Sequence, residues 1–172
     1  MVQKKMIGVY PIRYKDGNLE FLMIKRATEG YNWQCVTSSV GDSMGALDHP
    51  KGESPLECAI RELYEETGYK SSIIIPFDHT HDFYFEDEKE GEISPLKLQK
   101  LIKEITFYNF IARIDQPQDP VINPAEHTDW KWCGYETAYK IIRWAIEKKG
   151  LRIVHNFIVN KGLKKKEWNK HI

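Results

Sequence analysis

Apolar residues dominate Met6–Tyr14 and Leu19–Lys25, with the polar tetrad KDGN between them. Short apolar runs closed by turn residues read as strands. Asp16-Gly17 is a tight-turn dipeptide, so the pattern predicts a β-hairpin. Trp33–Val40 is rich in β-formers and predicts a third strand. Gly41–Gly52, with three glycines and Pro50, reads as a loop. The pattern then changes. Leu56, Ala59, Ile60 and Leu63 recur at helical spacing and predict a buried stripe on a helix over Ser54–Thr67. Ser54 can cap it, Pro55 suits the first helical position, and Glu57 completes a capping box. Gly68 is placed to end it in a left-handed conformation. Further strands are predicted at Ser71–Ile75, Thr80–Phe85, Glu104–Ile114 and Asp129–Cys133, and a short helix at Ser94–Lys100. Two helices, Glu136–Lys149 and Leu151–Lys161, are expected to meet at Gly150. The sum is an α+β chain, a mixed sheet flanked by helices, forming one domain over 1–172.

Composition narrows the function classes. Hydrophobic residues make up 41% and charged residues 29%, the ordinary balance of a soluble globular protein. The formal net charge is zero, which disfavours a strongly basic nucleic-acid binder. Only the basic tail near 162–172, with its run KKKEWNK, and the acidic loop EDEKEGE over Glu86–Glu92 depart from that balance. The three cysteines, Cys35, Cys58 and Cys133, are odd in number and widely spaced, which fits free thiols in a reducing cytosol. The opening MVQKKMIGVY lacks the apolar run of a signal peptide. No stretch approaches the ~18 apolar residues of a membrane span. A cytoplasmic protein without a membrane partner is expected.

The chemistry gathers on the central helix. Glu62 lies three residues from Glu65 and four from Glu66, so all three carboxylates share one side. Like charges at these spacings repel by a few tenths of a kcal/mol per pair, roughly. Arg61 and Lys70 can offset part of that. A hard divalent cation such as Mg²⁺, which takes carboxylate oxygens, can offset the rest.

Glu53, seven further residues and then RELYEETGY closely resemble the Nudix box, G-x5-E-x7-R-E-U-x-E-E-x-G-U with U apolar. The resemblance implies a mixed sheet between helices and hydrolysis of a nucleoside diphosphate linked to another moiety. It implies Mg²⁺ as cofactor, with Mn²⁺ as a substitute. It places metal ligation on Glu62, Glu65 and Glu66, and an Arg61–Glu53 bridge between the loop and the helix. Glu65 is shared between metal and general base, so the implied catalytic set is Glu65, Glu66, Arg61 and Glu53. The position that should open the box with glycine is Leu47. Either Gly45 takes that part, or WQCVTSSV aligns with a WQSVTGSV-like strand of one Nudix branch. In the second alignment Ser38 replaces the glycine, and the loop 41–52 carries an insertion.

EHTDWKW, Glu126–Trp132, resembles the E-H-x-x-aromatic-x-W of several Nudix branches, which implies a fourth metal ligand at Glu126. His127 beside it, and the HTH of His79–His81, read as structural histidines. Lys25 and Arg26 end the second strand, where a cation either meets phosphate or is solvated. Tyr31, Trp33 and Tyr84 are candidates to stack on a base or pterin ring, with core packing as the competing role. The two motifs together resemble the branch acting on dihydroneopterin triphosphate, dATP and other nucleoside triphosphates. A diadenosine polyphosphate hydrolase and a catalytically silent nucleotide- or protein-binding module are the alternatives. The expected partner is a small nucleotide or pterin triphosphate; the oligomeric state is not legible.

Overall fold

A computed structural model describes residues 2–28, 30, 32–41, 50–71, 74–76, 81–83 and 102–161. The strands are β1 (Val2–Lys15), β2 (Asn18–Arg26), β3 (Trp33–Gln34), β4 (Val36–Ser39), β5 (Ile74–Pro76), β6 (His81–Phe83), β7 (Ile102–Arg113) and β8 (His127–Cys133). The helices are α1 (Pro55–Thr67), α2 (Tyr135–Ile141) and α3 (Ala145–Lys161). Tyr31, Tyr84, His79, the acidic loop Glu86–Glu92, the helix expected over Ser94–Lys100, residues 42–49 of the expected insertion and the tail 162–172 lie outside the described residues. No helix among the described residues is long and apolar enough to cross a membrane.

The sheet is mixed. β1 runs antiparallel to β2 and β4 but parallel to β7, and β7 also carries β5 and β6 antiparallel. Strand β8 closes on the outer length of β2. The β1–β2 hairpin turns at Asp16-Gly17, both with positive φ, and is paired from Lys15↔Asn18 to Ile12↔Phe21. Beyond that point the next segment of chain enters between the two strands. Trp33 and Gln34 pair with β2, then Val36–Ser39 pair with β1. The single strand expected over Trp33–Val40 is therefore two, divided at Cys35, where the chain changes partner.

Each face of the sheet has its own core. Phe21 and Met23 of β2 point to a cluster with Tyr10, Ile12, Leu151, Val154 and Ile158, beneath α2 and α3. Leu22 and Ile24 point the other way, to Ile7, Val9, Val36, Ala59 and Leu63, beneath α1. Strand periodicity makes this division, since successive side chains leave opposite faces.

Two expectations about the helices are corrected. The buried stripe of α1 is not Leu56, Ala59, Ile60 and Leu63: Leu56 and Ile60 are 42% and 52% exposed. The buried side is Cys58, Ala59, Glu62, Leu63, Glu66 and Thr67. The helix lies against β4 with part of its acidic side inward, so two carboxylates take positions that apolar groups would usually hold. The second correction concerns Gly150, which does not divide the C-terminal helices. The chain breaks at Ile142, whose backbone is extended at φ −60° and ψ 132° and bridges to Trp33. Gly150 lies inside α3, where an added Cβ would run into the Tyr10 hydroxyl and the Asn109 amide. Its role is close approach of helix to sheet. Gly150→Ala should accordingly destabilise the fold by about 1–3 kcal/mol, the scale of overpacking, although alanine is the better helix former. Urea denaturation of the two proteins tests this; an equal or higher midpoint for the variant contradicts it.

Candidate active site

The site starts from the cap of α1. The Ser54 side chain accepts the Glu57 amide at 3.3 Å, and the Ser54 amide donates to Glu57 Oε2 at 2.8 Å. At the other end Gly68, at φ 71°, donates to the Tyr64 carbonyl at 2.8 Å. These local contacts set the first turn immediately after Glu53, two turns below Arg61. Arg61 Nε and Nη2 donate to the two oxygens of Glu53 at 2.7 and 2.9 Å. Such a bidentate pair fixes direction as well as distance, so the loop before the helix is pinned to it. The guanidinium also holds the Glu53 carboxyl below its usual range. Arg61 Nη1 donates at 2.8 Å to Glu62 Oε1 and at 2.8 Å to Glu65 Oε2. One guanidinium thus ties three carboxylates.

The fourth acid is held differently. Glu66 is 6% exposed, and its Oε2 has no hydrogen-bond partner. Burial, then the charges of Glu62 and Glu126, push its carboxyl well above the usual range. A buried carboxylate that repels its neighbours is costly unless a cation joins them. His127 Nε2 lies 3.9 Å from Glu66 Oε2. Burial, and next the Arg26 charge, hold that imidazole down at about 4, so near neutral pH it is neutral and supplies no such cation.

A cleft of about 930 Å³ joins these groups; Arg26, Ser38, Glu62, Glu65, Glu66 and Glu126 are among its walls. Glu126 comes from the turn before β8, far from α1 in sequence. Its carbonyl accepts the Ala27 amide at 2.8 Å, which ties that turn to the end of β2 beside Arg26. Its Oε1 accepts Asn123 Nδ2 at 3.0 Å. Arg26 follows Leu22 and Ile24 on the α1 face, and so reaches the cleft. Lys25 and Trp33 are not among the lining residues. Lys25 leaves the opposite face, with Nζ 5.9 Å from the Trp33 ring centroid, and Trp33 packs against the core beneath α2 and α3. Of the residues expected to meet substrate, the structure brings Arg26 to the acidic helix and turns Lys25 and Trp33 away; Tyr31 lies outside the described residues.

Among the described residues no three acidic, histidine or cysteine side chains close into a ready-made ion cage. Glu62 and Glu65 turn to Arg61 instead. The donor set still suits a hard cation: carboxylate oxygens are what Mg²⁺ and Mn²⁺ take, and Glu66 Oε2 is buried without a partner.

Two contacts here had no part in the sequence reading, which gave Ser38 only as the replacement for a glycine and did not name Glu147. The Ser38 hydroxyl donates to Glu62 Oε1 at 2.6 Å. Glu147, on α3 beneath the other face, is 4% exposed and accepts the Cys35 amide at 3.3 Å. That amide sits where the chain changes partner strand. The one legible sign of Glu147's burial is its phase with Leu151, Val154 and Ile158.

Comparison with known proteins matches residues 4–153 to a family model described as NUDIX domain. The chain is 26% identical over 141 residues to an asymmetrical bis(5'-nucleosyl)-tetraphosphatase of Caenorhabditis elegans, covering 82% of this chain and 86% of that protein. It is 30% identical over 121 residues to an RNA pyrophosphohydrolase of Bartonella bacilliformis, covering 66% and 68%. Among solved structures, the E. coli dihydroneopterin triphosphate pyrophosphohydrolase superposes with a TM-score of 0.66 at 20% identity, covering 93% of this chain and 99% of that one.

Proposed function

Because this chain belongs to the NUDIX domain family and is a hydrolase of phosphoanhydride bonds, we propose that it cleaves a nucleoside triphosphate or dihydroneopterin triphosphate to the monophosphate and pyrophosphate, with Mg²⁺ as cofactor. The observation that carries this reading is Glu66, buried beside Glu62 and facing Glu126 across a cleft that also holds Arg26. Three carboxylates and a guanidinium lining one cleft suit a metal ion and the phosphate chain it neutralises.

Glu62, Glu66 and Glu126 are the residues that would hold the cation, with Glu65 shared between that task and general base. Bound there, a divalent ion supplies charge neutralisation, an activated water and stabilisation of the leaving phosphate. Arg26 meets phosphate oxygens, with a planar fork of donors suited to them. Arg61 orients: its bridge to Glu53 anchors the loop, and its contacts to Glu62 and Glu65 set the carboxylate array. Glu65 is the most exposed of the box acids on α1, its side chain 55% accessible, so it can meet a water in the cleft.

A second reading, asymmetric cleavage of a diadenosine polyphosphate, is favoured by the nematode relative, which spans 82% of this chain. Products separate the two. Mass spectrometry after incubation with Mg²⁺ and, in turn, dihydroneopterin triphosphate, dATP, diadenosine tetraphosphate, a 5'-triphosphate RNA and ADP-ribose should show a monophosphate plus pyrophosphate from dihydroneopterin triphosphate or dATP, lost on adding a chelator. Preferential release of ATP and AMP from the tetraphosphate selects the second reading. No turnover across the panel leaves a silent binding module.

A further inference from the structure

Resting on the reading of Glu62 as a metal ligand, we propose that Ser38 is a positioning residue whose hydroxyl orients the Glu62 carboxylate for the cation. The sequence puts a hydroxyl where the resembled strand has glycine, a residue with no side-chain donor. In the fold Ser38 lies on β4, opposite Ile7 of β1, and two residues beyond Val36, which packs beneath α1. The strand period therefore sends its side chain to the α1 face, into the wall of the cleft.

The hydroxyl has one proton and two acceptors in range. Glu62 Oε1 is 2.6 Å away and the Ser39 carbonyl 3.4 Å. The short distance is that of a charge-assisted O–H···O⁻ bond, so the proton goes to the carboxylate. Glu62 Oε1 also accepts from Arg61, but Arg61 is oriented by its bidentate hold on Glu53, and the same Nη1 serves Glu65. Arg61 alone therefore leaves the Glu62 carboxylate attached to a group that answers to two other acids. Ser38 joins it to the sheet instead. Strand and helix then fix one oxygen from two directions, which orients the whole carboxylate. Outer partners of this kind commonly change metal affinity by about 10–100-fold when removed.

Mn²⁺ binding to the substrate-free protein, followed by electron paramagnetic resonance, reads this without turnover. Ser38→Ala and Ser38→Gly should each weaken binding about tenfold, and Ser38→Thr, which keeps the hydroxyl, should restore it to within about twofold of the parent. Glu62→Gln should weaken it at least as much, and adding Ser38→Ala to Glu62→Gln should cost nothing more, because the hydroxyl acts through that carboxylate. Unchanged binding in both Ser38→Ala and Ser38→Gly, with Glu62→Gln weakened, overturns the role of Ser38 and leaves the site reading standing. A further loss in the double variant also overturns it, since Ser38 would then act elsewhere. Parent-like binding in Glu62→Gln removes the site reading itself. Circular dichroism melts of every variant confine the comparison to folded protein.

Discussion

Replacing Glu66 by glutamine should lower kcat about 10²–10⁴-fold, the scale of losing one positioned catalytic group, with no loss of thermal stability. The two halves of this expectation have one cause. Glu66 is 6% exposed and one oxygen has no hydrogen-bond partner, so the fold disfavours its charged form. Glu62 and Glu126 add repulsion, and both appear among the causes that raise its carboxyl. Glutamine has nearly the same shape and no charge, so it fills the same space without that penalty. A residue kept for packing behaves in the opposite way: Leu63→Ala, at the neighbouring buried position, should cost about 2–5 kcal/mol. Steady-state turnover on the substrate found in the product panel, beside a thermal melt of the same preparation, checks both halves. Turnover within a factor of two of the parent would remove Glu66 from the chemistry. A collapsed melting temperature would make the residue a structural one.

Glu147→Gln carries the second large effect, and it is one of stability. Burial pushes the Glu147 carboxyl up to about 8 from an ordinary 4.5, against partial relief from the Cys35 amide and the Arg26 charge. The folded chain therefore keeps a proton that the unfolded chain releases once pH passes 4.5. The stability this proton lends is complete below pH 4.5, drains away as pH rises, and is gone above about 8. A shift of this size corresponds to about 5 kcal/mol across the window. Glutamine keeps an acceptor for the Cys35 amide and has no proton to lose. The variant should match the parent near pH 4.5 and exceed it by several kcal/mol at pH 8. The groups that face Glu147 are Tyr10 from β1, Arg26 from β2, Cys35 between β3 and β4, and Glu66 from α1. Tyr10 and Cys35 are driven up beyond their ordinary values of 10.0 and 9.0, so they do not titrate in this window. Glu66 is raised as well, and the comparison is cleanest when repeated in the Glu66→Gln background. Guanidinium denaturation at several pH values gives the curves. Parallel curves for parent and variant would mean that Glu147 is charged throughout and paired in some other way.

What the amino-acid order determined by itself is local. The caps of α1, from Ser54 and Glu57 to Gly68, and the Asp16-Gly17 turn are contacts between residues no more than about four apart, and backbone periodicity alone brings such residues together. The same reach places Glu62, Glu65 and Glu66 on one side of a helix, and the spacing of Glu53 from Arg61 allows the bridge that the structure shows. Period two likewise puts Lys25 and Arg26 on opposite faces of a strand. It cannot say which face the acidic helix covers; that was decided when α1 packed on the side of Leu22 and Ile24. Packing against β4 also turned α1 so that Glu62 and Glu66 point inward while Leu56 and Ile60 point out. The hydroxyl of Ser38 on Glu62, the turn that carries Glu126 to Arg26, and Glu147 at the Cys35 crossover are meetings of residues 24, 100 and 112 apart. No local period encodes such meetings. They exist because the sheet, in closing its two cores, holds those segments against one another.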